Sequence, residues 1–196
     1  MGQPPSILLS ALTKLESIHE MEGSRVPEYL AKMKEHKRLA LKYLISDSLH
    51  DPLNEKGEHG MIDNGHVNVI TENIKNLELI QSLNTEPRKT VIHYGLIAST
   101  SVAIRDRSTR DDLNSGLSDH RLLCIETEVP DLMTNFPCIV IRGICDYADD
   151  QLNTCTGWQE PAAAVAAAFA KEVLSMLPVA EVTRLPTIKS MGPSVF

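Results

Sequence analysis

The sequence has no CxxC pair among its four cysteines, no Gly-rich turn among its ten scattered glycines, no broad basic surface and no long apolar run. Each absence excludes something. Without CxxC spacing, and with most of them in or beside apolar runs, Cys124, Cys138, Cys145 and Cys155 read as reduced core residues of an intracellular, cytoplasmic protein rather than a disulfide or zinc framework. A formal net charge of −7, from 19 Lys and Arg against 26 Asp and Glu, argues against a nucleic-acid backbone as partner. The one dense basic stretch, Lys32 to Lys42, reads as the solvated face of a helix. No segment approaches the ~20 consecutive apolar residues of a membrane span, and no basic-then-apolar leader opens the chain. His50, His59 and His66, with Glu58 and Asp63 nearby, follow no standard ligand spacing. They read as a solvated loop, so no metal and no cofactor are expected.

What is present is ordinary globular composition, 42% hydrophobic and 23% charged over 196 residues, enough for one domain with a core. Two short apolar runs stand out, Leu122 to Ile125 and Cys138 to Cys145, each followed by carboxylates: Glu126 and Glu128, then Asp146 and Asp149. Apolar runs of that length, bounded by polar residues, read as strands of a buried parallel sheet. In such sheets ligands sit beyond the carboxyl ends of the strands, where these acids fall.

Taken in order, residues 4–22 predict a helix opened by Pro4 and Pro5 and stopped at Gly23, and Pro27 opens a second to about Ser48. The polar, Asn-rich stretch over 49–90 reads as an insertion within the domain. Val91 to Ser99 predicts a strand, and 108–115 a helix with Ser108 or Thr109 as its cap. After the strand to Glu126 come a helix from Pro130, the strand Cys138 to Cys145 and a helix from Glu160 to about Leu177, whose Ala run packs on the sheet. This order gives an α/β fold: a mostly parallel central sheet flanked by helices, preceded by an N-terminal helical segment over 4–48. The domain covers 1–178, with its α/β core at 91–178; residues 179–196 read as an aperiodic tail.

Four ordered motifs carry a family resemblance. Val91-Ile92-His93-Tyr94-Gly95-Leu96-Ile97-Ala98-Ser99, then Glu126-Thr127-Glu128, then the run from Asn135 to Asp149, then Trp158-Gln159 before the Ala-rich helix resemble the nucleoside phosphorylase superfamily. The version at the N-terminus of fungal NOD-like receptor and ankyrin-repeat proteins is the most similar. The resemblance implies cleavage of a purine N-glycosidic bond, by phosphate or by water. Asp146 is then the general acid, Glu128 the acceptor for the ribose hydroxyls, Thr127 the residue against the sugar, and Glu126 the first acid of the same motif. Ser99 ends the strand leading to the base-binding loop, and Ala103 and Ile104 supply apolar walls for the base. Expected partners are a purine nucleoside or nucleotide, phosphate if the reaction is phosphorolytic, and a second copy of the chain, since the family commonly forms oligomers. Arg142 either pairs with a carboxylate beside the site or is a structural partner only, the second being favoured; Trp158 either lines the pocket mouth or fills core, core being favoured.

The chain also departs from the pattern. Thr100 and Ser101 follow Ser99 where relatives have a glycine and a polar residue, and Val129 and Pro130 replace two small residues after Glu128. The family's Gly-rich half has no counterpart, so the sequence looks like the C-terminal half to two-thirds of such a domain. Weakened or absent catalysis, or a non-catalytic ligand-sensing role, is the alternative expectation.

Overall fold

In a computed structural model the described residues are 4–44, 49, 90–117, 122–129, 137–149 and 157–185. They form helices α1 (Ser6–Met21), α2 (Val26–Lys34) and α3 (Lys37–Tyr43), strand β1 (Leu96–Ser99), helix α4 (Arg107–Ser115), strand β2 (Leu122–Glu126), and helices α5 (Gln159–Ser175) and α6 (Val179–Val182). The architecture is mixed: a two-stranded parallel sheet with helices around it.

Helix α5 is the hub, with α1, α2 and α3 all packing against it. Its buried residues are small along most of its length (Ala162, Ala164, Ala168), ending in Glu172 and Val173. Alanine lets neighbouring backbones approach closely, so the Ala run meets α2 and α3 as well as the sheet side. From α1 the residues driven inward are Ala11 and Leu15, one helical turn apart. Leu15 is 1% exposed, a burial that contributes about 2 kcal/mol. At Gly23 φ is +84°, the left-handed geometry that closes a helix C-terminus, and its N–H bonds the carbonyl of His19.

The turn that follows is pinned by a residue distant in sequence. Glu172 Oε2 accepts from Ser24 Oγ and Glu172 Oε1 from the Arg25 N–H, both at 2.8 Å. Ser24 Oγ in turn accepts from the Val26 N–H, serving the first turn of α2. His19 sits above this pair, its Nε2 3.1 Å from Glu172 Oε1 as an ion-pair contact rather than an aligned hydrogen bond. Its Nδ1 lies 2.8 Å from Tyr94 Oη. Burial, reinforced by Glu16 and Glu172, pushes the Tyr94 phenol up to about 12. The phenol therefore stays protonated at neutral pH, within hydrogen-bond distance of the imidazole.

Several sequence expectations need correction. The single helix expected from Pro27 to Ser48 is broken at His36, whose ψ of 90° is extended. The break lets α3 turn back and bury Ala40 on α5. The strand expected from Val91 begins only at Leu96; just before it the Gly95 backbone presses so closely on Leu123 that a Cβ there would overlap its side chain. The run Cys138 to Cys145 joins no ladder among the described residues. At Gly143 this run is drawn onto α5, where a Cβ would overlap the Ala162 carbonyl, and cavities separate it from β2. The cap of α4 is Asp106, two residues before Ser108 and three before Thr109: its carboxylate accepts from the Thr109 N–H at 2.8 Å. The tail opens with the single turn of α6, started at Pro178. Cys124, Cys138 and Cys145 are half-buried rather than core. The insertion at 50–89, with its three histidines, the helix from Pro130 and Cys155 lie outside the described residues. No described helix is long and apolar enough to cross a membrane.

Candidate functional site

The site begins where the two strands end together. In the parallel register Ala98 faces Ile125 and Ser99 faces Glu126, so the Ser99 hydroxyl donates directly to Glu126 Oε1. The other carboxylate oxygen of Glu126 accepts the Glu128 N–H at 2.9 Å and the Val129 N–H at 3.0 Å. Its backbone carbonyl takes the Thr100 N–H at 2.9 Å. Glu126 is 3% exposed and every one of these bonds serves the chain itself. It builds the turn that presents Thr127 and Glu128, both exposed, to the space beyond the strand ends.

Glu128 does not face that space alone. Arg142 Nη2 lies 2.5 Å from Glu128 Oε2. Arg142 therefore joins the candidate site, where the sequence had suggested a structural partner. The signal was available: a charged residue inside the apolar run Cys138 to Cys145 calls for a partner.

Asp146 comes from the neighbouring segment. Its Oδ1 accepts the Ala148 N–H at 2.9 Å, closing a tight turn in which Ala148 has φ of +49°. Its Oδ2 lies 3.7 Å from Cys145 Sγ, and the residue is exposed. The turn is held from outside by α4: Arg110 Nη1 donates to the Tyr147 carbonyl at 2.9 Å, and Arg107 Nη2 lies 3.7 Å from Asp149 Oδ2.

Between these elements lies a cavity of about 650 Å³ whose walls include Glu126, Thr127, Glu128, Asp146, Ala103 and Ile104. Of the residues singled out in the sequence, six thus share one hollow, and Ser99 stands behind Glu126. Arg110 and Arg142 also line it. A volume of this size is in the range of small-molecule sites. Its contents are chemically mixed: aliphatic surface on one side, paired charges on another, and an exposed carboxylate at the edge.

A second cavity of about 790 Å³ lies on the α5 side, walled by Tyr94, Ile141, Trp158, Val165 and Phe169 among others. Nothing in the sequence pointed to it: residues of both apolar runs line it, and among the described residues those runs share no ladder. Trp158 lines it rather than filling core. Cys124 borders both cavities. Burial pushes its thiol up against the opposing pull of Arg142, which favours the neutral form over a nucleophilic thiolate. Among the described residues no cluster of three metal-binding side chains occurs.

No protein-family model matches the chain, and no solved structure matches it. Over 177 residues, 90% of its length, the chain is 29% identical to a nucleotide-binding leucine-rich repeat (NLR)-like protein of Hyaloscypha variabilis. The likeness is to an NLR-like protein of a fungus. The chain spans 16% of that relative's length.

Proposed function

We propose that the 650 Å³ cavity is a purine nucleoside or nucleotide site, built for cleavage of the N-glycosidic bond. The observation that carries the reading is that Glu128 and Asp146, on separate segments of the chain, open onto one hollow alongside the apolar Ala103 and Ile104. A nucleoside presents a matching set of surfaces: a flat apolar base, a ring nitrogen that accepts a proton, and a ribose with hydroxyl donors.

In this reading the base lies against Ala103 and Ile104, and the ribose hydroxyls donate to Glu128, which Arg142 holds in place. Asp146 gives its proton to a ring nitrogen of the purine as the C1′–N bond breaks, with the bonding pair leaving on the base. The oxocarbenium-like sugar is captured at C1′ by water or by phosphate. Glu126 has a different role from the one its motif suggests: with its oxygens occupied by Ser99 and two backbone N–H groups, it shapes the turn and leaves the sugar to Glu128. No metal or cofactor enters this scheme, and a nucleoside phosphorylase-like fold belongs to the same proposal.

The test is release of free purine from adenosine, methylthioadenosine or ATP by the intact chain. Release that is lost in Asp146→Asn supports the reading, and release that persists in that variant removes Asp146 from it. A second reading has its own observation. The similar fungal protein is NLR-like and several times longer, so the same hollow fits a ligand-sensing module of a receptor. Nucleoside binding without purine release would select that reading.

A further inference from the structure

Helix α4 differs from the other long helices: it has no buried residue, yet one of its faces reaches two parts of the candidate site. Arg107, Arg110 and Asn114 lie at the spacing i, i+3, i+7, which aligns them along that face. Asn114 Oδ1 accepts the Leu122 N–H at 3.2 Å, at the start of β2. Arg110 donates to the Tyr147 carbonyl at 2.9 Å, and Arg107 pairs with Asp149 at 3.7 Å. Asp146 is thus followed immediately by a residue held through its carbonyl, inside a turn whose Ala148 adopts a left-handed backbone. Alanine does not hold that conformation without outside support.

We infer that Arg110 is a positioning residue: by gripping the Tyr147 carbonyl from α4 it sets the turn that aims Asp146 into the cavity, in register with β2 and Glu128. The inference rests on the proposed nucleoside reading for its chemical meaning, but the clamp itself is a statement about the turn. Arg110 also grips Asp111 through Nε and Nη2, which leaves Nη1 aimed at the carbonyl. The guanidinium's fixed fork makes both sets of bonds at once, and a lysine can make one.

The test compares Arg110→Met and Arg110→Lys with the wild-type chain by amide hydrogen exchange and by purine release. In Arg110→Met, exchange across 145–149 speeds up by at least about tenfold while α1 and α5 are unchanged, because opening is local. In Arg110→Lys the acceleration is smaller. Where purine is released, kcat falls in the Met variant, KM stays put, and Lys restores part of kcat. Unchanged exchange at 145–149, acceleration spread evenly over α1 and α5, or a wild-type kcat in Arg110→Met would each overturn the inference. A chain that neither binds nucleoside nor releases purine removes the proposed function. In that case the exchange data alone decide whether the clamp exists.

Discussion

The two ends of the molecule handle acidic side chains in opposite ways. Around α5, Glu172 is 2% exposed, with Ser24, Arg25 and His19 all turned toward it. Beyond the strands, Glu128 and Asp146 are exposed at the edge of a hollow. The first arrangement fixes the N-terminal helices on their hub. The second leaves carboxylate oxygens available to something else. Glu126 stands between these cases, buried like Glu172 but placed to shape the open site. Stability is therefore concentrated at one end and the proposed chemistry at the other, and substitutions should separate them.

The largest stability effect is expected at Glu172. Replacing it with Ala leaves the Ser24 hydroxyl and the Arg25 N–H without their acceptor, and should lower unfolding free energy by about 3 kcal/mol in a urea titration. A loss within error of zero would mean that water replaces the carboxylate freely. Next comes Glu126→Gln, which keeps one oxygen but turns an amide toward donors on its other side. About 2 kcal/mol of destabilisation is expected, together with weaker nucleoside binding because the Thr127–Glu128 turn loosens.

How far the sequence anticipated this layout can be judged from these same residues. A parallel sheet followed from the short apolar runs, but among the described residues the ladder joins Leu96–Ser99 to Leu122–Glu126 and leaves out Cys138 to Cys145. The open carboxylates followed from their position after those runs. Glu172 was invisible, because an acid in an amphipathic helix looks solvated until Ser24 and Arg25, about 150 positions away, are folded onto it. Arg110 looked like one more surface charge for the same reason. The break at His36 and the lack, among the described residues, of a ladder along Cys138 to Cys145 were hidden because local propensity does not record what α5 demands of its neighbours. The family resemblance pointed to residues that do converge on one cavity, while the roles of Glu126 and Arg142 needed the geometry.

Smaller effects sharpen the contrast. Tyr94→Phe removes the bond to His19 and should cost about 1 kcal/mol. Because the folded phenol titrates at about 12, above its usual 10.0, its contribution is complete below pH 10 and is lost as pH rises toward 12. The wild-type chain should therefore lose stability over that window, and the Phe variant should lack that part of the slope. In α4 the sign is opposite. The Thr109 N–H holds the Asp106 carboxylate below its usual 3.8, so the cap is intact above that value and fails as pH falls below it. Amide exchange in α4 should then accelerate in acid. The smallest change in stability is expected for Asp146→Asn, within about 0.5 kcal/mol for an exposed residue. If it instead destabilises the chain as Glu172→Ala does, the division between the two ends is wrong.

The most direct measurement is a map of backbone amide shifts as adenosine or methylthioadenosine is added to the intact chain. The account predicts perturbations gathered at Ile104, Thr127, Glu128 and Asp146 through Ala148, and none around Tyr94, Val165 and Phe169. Shifts confined to those last residues, or no shifts at saturating nucleoside, would contradict it.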